Sequence, residues 1–343
     1  MKLLEDKIKE NIDNVGHKST KIRAVALKTL YHILIRYYIP EFLLDWKITL
    51  VDGLERALKR GDPAERCLAI RSAAVLSTQL GLEATEALSK FVNSLKFSAT
   101  DATLAPVVRA DCCMALSVCC LFSAEELDSI QDSLQCCHRV WSTVKVGCPP
   151  DQAHMFAAGL SGWSLLLLHP KLSYSSVAKA IESSFAKLCH YLDSSHIEVR
   201  IACGECIALC HELTGELAQR GLNLKVVADH SQQLMDKLQL LATESAKYRA
   251  KRDRRIQRAS FRDIYGELKG ESGIDIAIKF NDGFERLELT SWNQKLSYDV
   301  LCSLLSSGMN VQLKQAINSQ LSKARSQFRG KQRGKRLSSF SSS

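Results

Sequence analysis

The most regular pattern along the chain is a recurring polar position followed by a small one. Arg23, Arg66 and Arg109 are 43 residues apart, and Arg200 follows 91 residues later, with His154 midway. A small residue stands three positions after each of them: Ala26, Ala69, Cys112, Ala157 and Cys203. Small side chains at a fixed place allow neighbouring helices to approach closely, so the pattern predicts helices stacked side by side.

The residues around this register predict pairs of antiparallel helices. Leu54 and Leu58 lie 12 and 8 positions before Arg66, and two leucines hold the same places before Arg200. Asp62-Pro63 and Ala105-Pro106 are typical helix starts. With only 6 prolines and 17 glycines in the chain, long helices are favoured over strands. A repeat of this length predicts an all-α, armadillo/HEAT-like α-solenoid of five helix pairs.

The pattern changes from Lys225 onward, and it predicts a small C-terminal domain. One or two long helices extend to about Leu268, and their second half is basic on nearly every face, which is not typical of a core helix. Alternating apolar residues from Ile274 to Leu289, around Asp282-Gly283, predict a β-hairpin. Helical spacing returns from Trp292 to Leu313, with Gly308 as the expected C-cap. The predicted domains are the solenoid at 1–246, the C-terminal domain at 247–313 and a disordered, basic, Ser-rich tail at 314–343.

Composition narrows the class and the compartment. Of 343 residues, 46% are hydrophobic and 24% charged, as in ordinary globular proteins. No uninterrupted apolar stretch approaches the ~18 residues of a membrane helix, so no membrane partner is expected. The 13 cysteines include adjacent pairs such as Cys112-Cys113 within helical segments. Neighbours on a helix cannot easily reach disulfide geometry, so we expect buried free thiols and a reducing compartment.

The positive charge is concentrated at one end of the chain. The net charge is +9 overall, and residues 245–343 alone carry +11. A dense basic run and a basic tail supply the candidate RNA- or ribosome-binding residues, which are Lys247, Arg249, Lys251, Arg252, Arg254, Arg255, Arg258, Arg262, Arg329, Lys331, Arg333, Lys335 and Arg336. No row of aromatic residues accompanies them, so any contact should be made to phosphates. A nuclear-import signal and a merely solvated helix face remain as alternatives.

Other candidate sites have a structural interpretation. Cys203 and Cys206 form a CxxC, but Cys203 occupies the small-residue position of the repeat and no second CxxC exists, which favours packing over zinc. The register arginines are expected to bond neighbouring repeats or helix ends rather than a ligand, and His154 is expected to have a structural role. No phosphate loop, HExxH motif or nucleophile elbow is present. The sequence therefore predicts a non-enzymatic protein without cofactor, metal or small-molecule substrate.

Several segments resemble one known family. They are Leu3 to Asp13, Leu50 to Arg56, the basic run from Lys247 to Ile264, and Ser291 to Met309. Together and in this order they resemble the interferon-related developmental regulator family, over roughly Leu3 to Leu313. The sequence departs from the family pattern in two places. From the resemblance we expect a polar, Ser-rich N-terminal extension to be missing here, and an acidic-aromatic helical ending to be replaced after Met309 by the basic tail.

The resemblance implies an armadillo-like solenoid with a family-specific C-terminal domain and no enzymatic activity. It also implies one of two regulatory roles. The first is binding to idle ribosomes, where tRNA and mRNA sites are blocked and translation is repressed. The alternative is a nuclear transcriptional co-regulator scaffold that bridges histone-deacetylase co-repressor complexes. Both roles predict a cytoplasmic and nuclear protein with protein partners on the solenoid surface.

Overall fold

The predicted all-α solenoid is confirmed by the computed structural model, which describes residues 2–124, 126–229, 231–244, 250–271, 273–280 and 285–315. Helices stack in two layers. The outer layer consists of α1 (Lys2–Asn14), α3 (Pro40–Arg60), α5 (Thr85–Thr100), α7 (Leu127–Ser142) and α9 (Tyr174–Tyr191). The inner layer consists of α2 (Thr20–Arg36), α4 (Pro63–Leu80), α6 (Pro106–Ser123), α8 (Pro150–Leu167) and α10 (Ile197–Ala218). Each outer helix packs against the inner helix that follows it, and each inner helix packs against the next.

The register arginines bond the ends of preceding helices, as the repeat pattern predicted. The Arg66 Nε donates to the Gly61 carbonyl at 2.8 Å, and the Arg109 Nε donates to the Ala99 carbonyl at 2.9 Å. Arg23 and Arg200 make the same kind of bond to the His17 and Ser194 carbonyls. Cations are favourable beside the unsatisfied carbonyls of a helix C-terminus. These arginines therefore fix the turn between the two helices in four of the five pairs.

Adjacent inner helices are also joined by ion pairs at the register positions. The Arg23 Nε lies 3.0 Å from Oε1 of Glu65, which is 1% exposed. Glu65 also completes a capping box with Asp62 at the start of α4, so the predicted N-cap is confirmed. The His154 Nδ1 lies 3.6 Å from Oε2 of Glu198 on the next inner helix. This contact supports the structural role expected for His154.

Most of the expected buried thiols lie on the inner helices α4, α6 and α10. All 13 cysteines are free, and every one is buried except the half-buried Cys189 and Cys302. Cys112 and Cys203 occupy the small-residue position of their repeats with no exposed surface. The α6 helix that carries Cys112 has a mean hydropathy of 1.5 over 18 residues, enough for a membrane span by length and composition. It lies between α4 and α8 in the inner layer, with 61% of that stretch buried inside the protein.

The segment after α10 differs from the sequence prediction. Instead of one or two long helices it forms α11 (Lys225–Asp229), α12 (Ser231–Thr243) and α13 (Lys251–Lys269). The α12 and α13 helices pack as an antiparallel pair, and α13 packs against α10. The basic helix is thus the inner member of a sixth pair. The predicted domain boundary at 246/247 falls in residues 245–249, outside the described residues, and it stays a prediction, as does the boundary at 313/314.

The predicted hairpin is confirmed by its two strands. β1 (Ile276–Phe280) pairs antiparallel with β2 (Glu285–Leu289), and Ile278 lies opposite Leu287. The predicted Asp282-Gly283 turn lies outside the described residues. After the hairpin, α14 (Trp292–Leu305) crosses the inner layer in contact with α10, α8, α6 and α4. A short 3₁₀ turn and α15 (Met309–Gln315) then reach α2. The C-terminal segment therefore runs back along the whole inner layer.

Gly308 does not cap a helix, so its predicted role was wrong. The α14 helix ends at Ser306, which has φ +48°, and Gly308 closes the 3₁₀ turn two residues later. A Cβ at Gly308 would lie 2.2 Å from the Ile35 carbonyl oxygen. Glycine is required here because two backbones meet, not because a helix ends.

Candidate polyanion-binding surface

The basic candidate residues that the structure describes lie on α13. This helix begins at Lys251 and ends at Gly270, whose φ of +72° is left-handed. Gly270 donates its N–H to the Glu267 carbonyl, and Glu271 donates to the Gly266 carbonyl, both at 3.0 Å. These two bonds form a Schellman motif that stops the helix. The helix thus has a defined end despite its highly charged sequence.

One side of α13 is buried against α10, which corrects the expectation of a helix without a packing face. Phe261 and Ile264 are fully buried. A Cβ at Gly204 of α10 would lie 2.7 Å from Cδ1 of Ile264 and 2.8 Å from Cε1 of Phe261. The glycine therefore allows the two helices to approach closely. Burial of the two apolar side chains contributes about 3–6 kcal/mol to holding α13 in place.

A buried amide strengthens the same contact. Gln257 is 2% exposed, and its Oε1 accepts hydrogen bonds from Nε and Nη2 of Arg200 at 3.0 and 2.5 Å. Its Nε2 donates to the Leu241 carbonyl at 3.3 Å and to Oε2 of Glu244 at 2.7 Å. Gln257 thus joins α10, α13 and the end of α12. Buried polar groups that are bonded in this way make the packing specific.

A second side of α13 presents the positive charge. Lys251, Arg255, Arg258 and Arg262 follow one another at spacings of four, three and four residues, which places them along one face. We call these four residues the α13 stripe. All are exposed except the half-buried Arg258. Within the described ranges, Lys251, Arg255 and Arg262 make no ion pair, so their charge is available to an external anion.

The remaining candidate residues divide into three groups. Arg252 is exposed, but it lies beside Ile256 rather than on the α13 stripe. Arg254 is half-buried and holds the fourth position of its helix, as Arg200 does in α10, which indicates a structural register residue. The others lie outside the described residues: Lys247, Arg249, Arg329, Lys331, Arg333, Lys335 and Arg336.

The CxxC has the environment of a packing site. Burial raises the pKa of the Cys203 thiol well above its usual value, and the Cys206 thiol raises it further. The pKa of Cys210 is also raised well above its ordinary range, by its bond to Cys206 and by burial. Thiols of this kind remain protonated at neutral pH and are poor nucleophiles and poor metal ligands. Among the described residues no group of three or more His, Cys, Asp and Glu side chains is arranged to hold a metal ion.

Sequence reasoning missed a second basic helix face. On α2, Lys21, Lys28, His32 and Arg36 lie at spacings of seven, four and four residues. We call these four residues the α2 stripe. The helical spacing of these positive residues is visible in the sequence. The net charge of the whole N-terminal region does not show it, because acidic residues of the flanking helices cancel the positive charge. The α2 and α13 stripes lie on the first and last helices of the inner layer.

The fold is that of a helical-repeat solenoid. Its last helix pair, α12 and α13, exposes the positive charges of the α13 stripe. The model of the interferon-related developmental regulator family matches residues 2–269, and that of the interferon-related protein conserved region matches residues 299–337. The chain belongs to the interferon-related developmental regulator family. The second match extends well past Leu313, so the expectation that the sequence leaves the family pattern after Met309 was wrong.

Individual relatives cover most of the chain. It is 33% identical to interferon-related developmental regulator 1 of Sus scrofa over 319 residues, which are 90% of this chain and 69% of that protein. It is 33% identical to interferon-related developmental regulator 2 of Mus musculus over 320 residues, 90% of this chain and 70% of that one. A designed armadillo repeat protein of known structure is similar with a TM-score of 0.49 and 12% identity, over 76% of this chain and 98% of that one.

Proposed function

We propose that this protein is a non-enzymatic regulator of gene expression that binds ribosomes or structured RNA through the α13 stripe and thereby represses translation. The observation that carries the proposal is the stripe, where Lys251, Arg255 and Arg262 are exposed at helical spacing without an ion pair in the described part of the chain. Membership of a family of developmental regulators with helical repeats supports the regulatory class.

The physical basis is the release of counterions from phosphates. Each cation that meets a phosphate displaces condensed counterions and adds a salt-dependent contribution to affinity. The packing of Phe261 and Ile264 against α10 fixes the stripe on a rigid scaffold, so little ordering remains to be done on binding. The basic residues at 247, 249 and 329–336 add to the same positive end of the chain. Contacts of this kind recognise backbone rather than base sequence.

The proposal is tested by charge reversal with a matched control. The variant K251E/R255E/R262E changes the three exposed cations of the α13 stripe, and K90E/K145E/K179E changes three exposed lysines elsewhere on the solenoid. The two variants alter the net charge equally. In sucrose gradients the first should lose co-sedimentation with ribosomes, with an affinity lowered about tenfold or more, and the control should sediment as wild type.

Two further readouts make the outcome decisive. The log–log salt slope of ribosome binding should flatten by about 2–3 for the α13 variant, since three phosphate contacts are lost. A translation reporter in lysate should be repressed by wild type and by the control, and not by the α13 variant. Equal behaviour of the two variants would refute the proposal. Co-migration with deacetylase complexes in nuclear extract, without ribosome binding, would instead support the transcriptional alternative.

A further inference from the structure

All the charges on the exposed face of α2 are positive, and they lie beside the exposed apolar residues Ile22 and Val25. Its 17 residues, Thr20–Arg36, include no Asp or Glu. Lys21, Lys28 and Arg36 are exposed, and His32 is half-buried between them. Arg23, the remaining cation of α2, forms an ion pair with Glu65 within the protein. A solvated end helix needs polar residues but has no need for charge of one sign, so the absence of acids indicates an anionic partner.

The charges of the α2 stripe are not compensated within the protein. Some partly exposed cations elsewhere on the solenoid meet carboxylates, as Lys96 meets Asp132 and Lys59 meets Glu55. Over the described ranges, Lys21, Lys28 and Arg36 have no such partner.

The pKa of His32 indicates the electrostatic potential at the α2 stripe. Its pKa is lowered, chiefly by burial and then by the positive charges of Arg36 and Lys28. Its Nδ1 is buried and has no hydrogen-bond partner among the described residues. The local potential is therefore positive, and an anion bound beside Lys28 and Arg36 would relieve it.

The stripe is held rigidly by the C-terminal segment. The Tyr31 hydroxyl donates to the Leu304 carbonyl at 2.5 Å. The Gln312 Nε2 donates to the carbonyls of Leu34 and Ile35 at 3.0 and 3.2 Å. These bonds fix the last turns of α2, where His32 and Arg36 lie. A preorganised row of cations binds an anion without a further cost of ordering.

We infer that the α2 stripe is a second phosphate-binding face, which together with the α13 stripe holds one nucleic acid at both ends of the inner layer. The inference takes its partner, structured RNA, from the proposed function. Four inner helices separate α2 from α13, and helix spacings of 8–10 Å place the two stripes about 40–50 Å apart. An RNA duplex is A-form and rises about 2.8 Å per base pair. An RNA duplex of about 14–18 base pairs is therefore needed to reach both faces, and longer RNA gains the affinity of two linked contacts.

The test compares two RNA duplexes, of 8 and 30 base pairs, by fluorescence anisotropy. The variant K21E/K28E/R36E should bind the 30-base-pair duplex about tenfold or more weakly than wild type, because linkage between the two faces is lost. On the 8-base-pair duplex its affinity should change about twofold at most, since the α13 stripe still binds alone. The K90E/K145E/K179E protein is the matched control. Long-duplex affinity within twofold of that control would overturn the inference.

The two proposals fail separately. If K251E/R255E/R262E leaves binding of both duplexes unchanged, the proposed function fails. If it weakens binding and K21E/K28E/R36E does not, only the α2 face is refuted. A neutral K28Q/R36Q variant removes attraction without adding repulsion and should keep the wild-type melting temperature.

His32 provides a direct local readout by NMR titration. Saturating 30-base-pair RNA should raise its pKa in wild type, since phosphates offset the charges of Lys28 and Arg36. In K28Q/R36Q the pKa should be raised without RNA and should change little when RNA is added. An unchanged His32 titration curve in RNA-saturated wild type would also overturn the inference.

Discussion

Arg200 of α10 donates two hydrogen bonds to the side-chain oxygen of Gln257 on α13, and both residues are 2% exposed. The pair joins the fifth and sixth inner helices at the register position, as Arg23 and Glu65 join the first two inner helices. It also explains why a highly basic helix can be part of a solenoid. The positive charge of Arg200 is satisfied internally, while the α13 stripe remains exposed on another side of the helix.

Replacing Gln257 should destabilise the sixth helix pair. Gln257→Leu conserves volume but removes the acceptor of two bonds from a buried guanidinium, which should lower the free energy of unfolding by about 2–3 kcal/mol. Urea denaturation followed by circular dichroism measures the change. Arg262→Gln on the exposed side of the same helix is the control and should stay within about 0.5 kcal/mol of wild type. Equal stabilities for the two variants would contradict the role given to Gln257.

Gly308→Ala should displace the C-terminal segment from α2. The new methyl group would lie 2.2 Å from the Ile35 carbonyl oxygen, so one of the two backbones must move. We expect a loss of about 2 kcal/mol or more in the free energy of unfolding. Gly215→Ala in α10, where nothing lies within 4 Å, is the matched control and should be neutral or stabilising by up to about 1 kcal/mol. Thermal unfolding of the two single variants distinguishes a steric effect from a general effect of alanine.

The thiols should react in an order set by burial. Burial raises the pKa of Cys67, Cys119 and Cys136 to about 12. Such thiols are protonated at pH 8 and inaccessible, so they should resist alkylation in native protein. Half-buried Cys189 and Cys302 should be modified first, and the others only after denaturant is added. Mass spectrometry of iodoacetamide-treated protein provides the order, and early labelling of Cys119 would be inconsistent with the packing of α6.

Glu212 should make the docking of α14 depend on pH. Its Oε2 accepts the Trp292 N–H at 2.7 Å, and burial nonetheless raises the pKa of this carboxyl. A raised folded pKa means that the native state binds the proton more tightly than the unfolded state. This contribution to stability is therefore present below the unfolded pKa, near 4.3, and is lost as pH rises through the folded value.

The matched variant is Glu212→Gln, which cannot titrate. Its stability relative to wild type should improve as pH increases from 4 to 7, as measured by urea unfolding at four pH values. Glu182→Gln, on the exposed side of α9, serves as the control for a carboxyl that is not among the groups acting on Glu212. A constant difference between Glu212→Gln and wild type over this range would show that Glu212 does not contribute to the pH dependence.

The helix pairs could be predicted from the sequence because each repeat carries its own local signal. Arg66 and Asp62 mark the start of α4 within a few residues of each other, and both act locally in the structure. The packing of α14 could not be predicted in the same way. The apolar period from Trp292 to Leu305 indicates that one face is buried, but it contains no information about which helices cover that face.

The sequence predicted a basic helix, and it did not predict which side of that helix is packed. The dense positive charge indicated where the basic helix lies. Its packing face was not recognised, because Gln257 is a polar residue and polar residues are normally expected at the surface. From the sequence alone, Arg254 cannot be distinguished from the exposed arginines, because the pattern does not predict that the helix begins at Lys251. Once that boundary is known, the fourth position of the helix identifies it as a register residue. Charge composition shows that a segment is basic. The position of each basic residue within its helix is needed to distinguish the exposed cations from those that bond other parts of the protein.

The return of the C-terminal segment to α2 changes how the whole array should unfold. In an open repeat protein each unit touches only its neighbours, so terminal units fray and stability is nearly a sum over adjacent pairs. Here Tyr31 bonds Leu304 across 273 positions of sequence, and α14 touches four inner helices. The first helix pair is thereby coupled to the last residues of the fold. Melting of either end removes contacts from the other, which makes the molecule a single cooperative unit rather than a series of independently opening repeats.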